Sequence, residues 1–191
     1  MKKDIILSGV GGQGILSIAA VIGLSAVTRG LFLKQSEVHG MSQRGGDVQS
    51  HLRLSDKPVL SDLIPLGKAD LIISVEPMES LRYLPWLSAS GWLITSSNPY
   101  INIPDYPPVD ELIAEIRKFK NHIIIDADSV AKESGSVRAG NMVMLGAASP
   151  FLEIPFESIK DSVRTFFGRK GEEIVRVNLM ALVAGRKLSG R

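Results

Sequence analysis

An α/β fold, a mostly parallel sheet with helices on both faces, is predicted by three observations. Short continuous apolar runs (Ile5-Ile6-Leu7, Leu71-Ile72-Ile73, Leu93-Ile94 and Ile123-Ile124-Ile125) have the length and two-sided hydrophobicity of buried parallel strands. Between them lie segments with helical apolar spacing, such as Leu112, Ile113, Ile116 and Phe119. At the end of the first run, Gly9, Gly11 and Gly14 fit the spacing G-x-G-x-x-G, with Gly12 as an extra glycine inside it. In a Rossmann-like unit that spacing gives a tight turn, close backbone approach and close packing of helix on strand.

Residues 4–7 read as the first strand. Residues 13–28 form a helix that is apolar nearly all round, hence buried on more than one face, under a sheet or against a partner. Gly30 suits the left-handed position that ends it. A second strand over 31–35 completes a right-handed β-α-β unit. The polar, glycine-bearing stretch 36–47 is predicted to be an ordered loop at that strand's carboxyl end. Residues 48–54 alternate, with Val48, Ser50, Leu52 and Leu54 against Gln49, His51 and Arg53, so a half-exposed strand with His51 at the surface is expected. With 59–60 it makes an antiparallel edge hairpin.

Residues 69–75, 91–95 and 122–126 supply further strands, and Pro77 opens a short helix. The proline-rich stretch 96–108 is a long connection with one short extended piece at 100–103. Helices follow over 109–119, 128–133, 141–148, 156–166 and 172–188, with Asp128 or Ser129 as the cap of the second. The C-terminal helices cover one sheet face or reach toward a partner. No internal repeat or low-complexity linker interrupts the chain, so one domain over 1–191 is predicted.

Composition narrows the function. At 191 residues, 45% hydrophobic and 22% charged, the chain can bury a real core. A net charge of +2 without an extended Lys/Arg block gives no reason to expect nucleic acid. The apolar segment 15–27 carries Ser17, Gly23 and Ser25 and is too short to span a bilayer, so no membrane is expected and a cytoplasmic location is. The absence of cysteine excludes disulfides, thiolate metal sites and cysteine-ligated iron–sulfur clusters within this chain. His39, His51 and His122 are too widely spaced for a histidine metal site.

Two loops at the carboxyl edge of the sheet carry the candidate chemistry. Gly9, Gly11, Gly12, Gln13 and Gly14 lead into a helix start whose free N–H groups suit a phosphate or carboxylate. Any tight β-α turn has the same needs. A dinucleotide site also wants an acid about 20 residues on, at the end of the second strand. Glu37 is the only candidate and lies past the predicted strand end. That weakens the alternative of a free-standing nucleotide- or NAD-binding protein. The second loop, Ser42, Gln43, Arg44, Gly45 and Gly46, sets a guanidinium beside glycine amides, again suited to an anion. The plainer reading is a local salt bridge and a sharp bend. Glu37, His39, Asp47 and His51 have no nucleophile at suggestive spacing, and no catalytic residue is predicted. The small and methionine residues of 141–148 fit core packing or a subunit interface, and the apolar C-terminal helices favour the interface.

Taken together, Gly9-Val10-Gly11-Gly12-Gln13-Gly14-Ile15, Ser42-Gln43-Arg44-Gly45-Gly46 and Asn141-Met142-x-x-Leu145-Gly146 resemble the gamma component of 2-oxoacid:ferredoxin oxidoreductases. Within that family the chain is most similar to the small subunits of the enzymes acting on indolepyruvate. The resemblance covers essentially the whole chain. It implies a non-redox subunit, inactive alone, of an enzyme that converts aryl 2-oxoacids and coenzyme A to aryl-acyl-CoA with ferredoxin reduction. It places thiamine diphosphate and iron–sulfur clusters in a larger alpha subunit, leaves none held by this chain alone, and makes coenzyme A a co-substrate. It makes the two glycine loops the surface facing that partner or the coenzyme A phosphates. A chain without cysteine accords with redox centres held elsewhere.

Overall fold

The computed structural model describes residues 1–39 and 45–190. Six strands, β1 (Lys2–Val10), β2 (Phe32–His39), β3 (Asp47–Ser55), β4 (Ala69–Ser74), β5 (Leu87–Ser96) and β6 (His122–Ile125), form one sheet in the order β2-β3-β1-β4-β5-β6. The pairs β1–β4, β4–β5 and β5–β6 are parallel, whereas β3 runs antiparallel to both its neighbours. Helices α1 (Ile15–Val27), α2 (Pro77–Arg82) and α3 (Val109–Arg117) precede four more: α4 (Ala127–Glu133), α5 (Gly140–Ala148), α6 (Phe156–Phe167) and α7 (Glu172–Leu188).

The sheet is covered on both sides, as predicted. Alternate residues of β1 divide between two cores. Ile5 and Leu7 join α1 and the C-terminal helices, while Ile6 meets Ile72, Leu93, Tyr83 and Ile116 beneath α2 and α3. The first core is much the larger, because α4 to α7 all fold back onto α1's side. At its centre α5 and α7 cross closely. A methyl on Gly146 would lie 2.0 Å from the Leu182 carbonyl oxygen, and one on Gly185 1.9 Å from that of Val143. The expectation of an interface at 141–148 is therefore corrected. All of these residues are buried, within their own chain, because two glycines let α7 seal them in.

The connection around β2 also differs from the sequence reading. The second strand extends to His39, through the first part of the predicted loop, and is not β1's neighbour. β3 takes that slot, so the edge hairpin is β2–β3 rather than 48–54 with 59–60, and no strand forms in 56–68. That stretch instead folds over the outer layer. Arg53 Nη1 donates to the carbonyls of Ser61 and Leu63, both at 3.0 Å, and the Ile64 N–H donates to His51 Nδ1 at 3.0 Å. His51 is buried as a result, with Trp86 edge-on to its ring, and burial lowers its pKa. The surface assignment of His51 fails because alternation in a strand cannot register a cover supplied by a distant loop. Stretch 100–103 holds no strand.

Candidate functional site

Toward the carboxyl edge of the sheet, Ser8 of β1, Ser74 of β4, and Thr95 and Ser96 of β5 are all buried. The glycine turn follows β1. Gly9 packs so tightly that a methyl on it would meet Val75 Cγ2 at 2.4 Å. Gly14 has φ +81°, a left-handed conformation that favours glycine, and no side chain caps α1 there. Gln13 turns inward: its Oε1 accepts the Val10 N–H at 2.8 Å and its Nε2 donates to the Val75 carbonyl at 3.4 Å. It is a clip between the ends of β1 and β4. Asn141 Nδ2 donates to the Gly14 carbonyl at 3.1 Å, which fixes the start of α5 against the turn.

Of the second loop, Ser42, Gln43 and Arg44 lie outside the described residues. Gly45 and Gly46 join the first loop directly. The Gly11 N–H donates to the Gly46 carbonyl at 2.8 Å, and the Gly45 N–H to the Gly11 carbonyl at 3.4 Å. The described end of the second loop is thus hydrogen-bonded to the first. A third segment, 97–108, joins them, with Asn102 Nδ2 donating to the Gly45 carbonyl at 2.6 Å. This strap is latched onto Glu76, whose carboxylate accepts from the Tyr100 N–H at 3.3 Å, from the Tyr106 hydroxyl, and from the Glu79 N–H at 2.7 Å as the cap of α2. Burial and the Glu76 carboxylate hold the Tyr106 phenol neutral, far above its ordinary range.

Depressions border the turn. One of about 420 Å³ is lined by Gly11, Gly12, Gly14, Leu16 and Val48. Another of about 330 Å³ lies between the turn and the starts of α4 and α5, with Ser96, Asp128, Arg138 and Asn141 among its walls. Asp128's pKa is raised by burial and by Asp126. The cap of α4 is Asp126, whose carboxylate accepts from the Ser129 N–H at 3.0 Å, and not Asp128 or Ser129 as predicted. A wider groove of about 730 Å³ between α4, α6 and α7 contains none of the sequence-predicted residues.

The dinucleotide alternative loses its geometry here. Glu37 sits on the edge strand with β3 between it and β1, exposed and bonded to Gln35. A ribose held at the end of β1's neighbour would meet β3 instead. The residues that sequence reasoning missed are Asn141 as a clamp, Arg138, and the strap with its Glu76 latch. Glu76 carried a signal, as an acid just before the proline that opens a helix, and Asn141 stood in the third motif without a role assigned to it.

Comparison with known proteins accounts for this architecture. The chain matches the pyruvate ferredoxin/flavodoxin oxidoreductase family over residues 4–188. It is 37% identical to the indolepyruvate oxidoreductase subunit IorB of Archaeoglobus fulgidus, across 100% of this chain and 98% of that one. The pyruvate oxidoreductase subunit PORC of Thermotoga maritima shares the fold, with TM-score 0.73, 19% identity, and coverage of 98% and 96%. The fold also recurs in the 2-oxoglutarate:ferredoxin oxidoreductase of Magnetococcus marinus, solved with 2-oxoglutarate, coenzyme A and succinyl-CoA bound. There the TM-score is 0.77 at 24% identity, and this chain's 99% corresponds to only 31% of that chain. A match from the first strand to the last helix, with full-length subunits among the relatives, leaves one conclusion: this chain belongs to the pyruvate ferredoxin/flavodoxin oxidoreductase family.

Proposed function

We propose that this chain is the small, non-redox subunit of a 2-oxoacid:ferredoxin oxidoreductase acting on aryl 2-oxoacids such as indolepyruvate, in the cytoplasm. The observation that carries the reading is the joined glycine surface and its apolar border. Leu16, Ile101, Ile103 and Val137 are 45%, 70%, 43% and 59% exposed around the loops. Large apolar side chains held in water on both sides of a rigid turn suit the rim of a subunit interface. The partner is the larger alpha subunit, which holds thiamine diphosphate and iron–sulfur clusters and passes electrons to ferredoxin. This chain has no thiolate for a cluster.

Within that assembly Gly9, Gly11, Gly12 and Gly14 present backbone to the partner or to the coenzyme A phosphates, with Gln13 holding the turn's shape. Ser42, Gln43, Arg44, Gly45 and Gly46 form the adjoining half, in which Arg44 supplies positive charge. Co-expression with the large subunit tests the reading: the two co-purify, and only the complex oxidises 2-oxoacids. Full activity of this chain alone, or of the large subunit without it, overturns the proposal. Arg44→Ala should raise the complex's coenzyme A requirement roughly tenfold to a hundredfold, the worth of a charge-assisted contact. Unchanged kinetics assign Arg44 a local role.

A further inference from the structure

The edge strand β2 has no strand on its outer side among the described residues, and its eight residues leave a row of backbone donors and acceptors open. We propose that β2 pairs antiparallel with β2 of a second copy of this chain, joining two sheets across a twofold axis centred on Gln35. The choice of a second copy rests on self-complementarity. Directly opposed residues of a sheet share a face, so a twofold pairing of β2 with itself must centre on a residue rather than between two. Phe32 and Val38, the large apolar residues exposed on β2 at 46% and 50%, stand equally far from Gln35. They lie on one face, since their β3 partners Ser55 and Gln49 flank His51 at even spacing.

Centring on Gln35 therefore sets Phe32 of each copy against Val38 of the other, twice. It sets Lys34 against Ser36 and Leu33 against Glu37, with no like charges directly opposed. Gln35, whose Nε2 donates to Glu37 in the single chain, meets its own counterpart, and since an amide both donates and accepts, the two pair once that bond is exchanged. The one unfavourable contact is diagonal, between the Lys34 side chains across the axis. An eight-residue strip falls short of the ~1,000 Å² of a stable interface, so association in the micromolar range is expected.

The absence of cysteine makes the test direct. Gln35→Cys in the full chain should form a disulfide-linked dimer on mild oxidation, because opposed residues bring their Cβ atoms within about 5.5 Å. Phe32→Cys and Val38→Cys should each stay monomeric but cross-link when mixed, which reports the register. Sedimentation of the unmodified chain should show a dimer that tightens with salt as the Lys34 repulsion is screened. Val38→Asp should weaken it about tenfold while circular dichroism stays native. A chain monomeric at high micromolar concentration, cross-linking of the Gln35→Cys variant without the mixed 32–38 product, or cross-linking of that variant to the large subunit in the complex, each overturns the proposal.

Discussion

At the scale of single residues, side-chain amides hold the site together. Gln13 satisfies the N–H of Val10, a fully buried residue. Gln13→Ala should therefore cost about 1–3 kcal/mol in urea unfolding, the penalty of a buried donor left unpaired. Asn141→Ala should loosen the turn relative to α5, seen as faster amide exchange at 11–16. Asp126 caps α4, so Asp126→Ala should cost about 1 kcal/mol. Bonding to the Ser129 N–H holds the Asp126 carboxyl below its ordinary 3.8. Its stabilising contribution is thus present above that value and lost as pH falls through the lower folded value. Asp126→Asn should remove this acid-side decline and leave a neutral cap.

At the scale of elements, the α5–α7 crossing is the least forgiving feature. The methyl of Gly146→Ala would press on backbone of α7, which cannot swing aside as a side chain can. A loss of about 3 kcal/mol is expected by thermal or denaturant unfolding, at the upper end of overpacking costs. Helix α2 carries the opposite kind of strain, a carboxyl group in a dry place. Glu79 is buried, and desolvation raises its pKa above the ordinary 4.5 although Arg82 Nε donates to it at 2.9 Å. For a carboxyl raised on folding, the stabilising contribution is complete below 4.5 and declines as pH climbs through the folded value. Glu79→Gln should flatten that limb of the stability–pH curve. Stability that still declines equally in the variant assigns the effect to another group.

For the whole molecule, the sheet order decides both stability and ligand choice. β1 lies between β3 and β4 with Ile5, Ile6 and Leu7 at zero exposure, so its amides and those of β4 should exchange slowest, and those of β2, where the chain is dilute and monomeric, fastest among the long strands. With β3 beside β1, the turn lacks the neighbouring strand end on which a ribose acid would sit. Calorimetric titration with NAD(H), NADP(H) or FAD should show no saturable binding at millimolar ligand. Saturable binding would return the glycine turn to a dinucleotide role. No described helix is long and apolar enough to cross a membrane.

Much of this was legible in the chain alone. Apolar runs such as Ile123-Ile124-Ile125 and the spacing of Leu112, Ile113 and Ile116 marked strands and helices, because those patterns follow from local periodicity and burial on two faces. The three motifs likewise pointed to a subunit of a 2-oxoacid:ferredoxin oxidoreductase. Only the tertiary structure decided which strand stands beside β1, that His51 is covered, that 141–148 is sealed by α7, and that Gln13 faces inward. Each of those depends on a contact between segments far apart in sequence, and local periodicity carries no information about which distant segment arrives to make it.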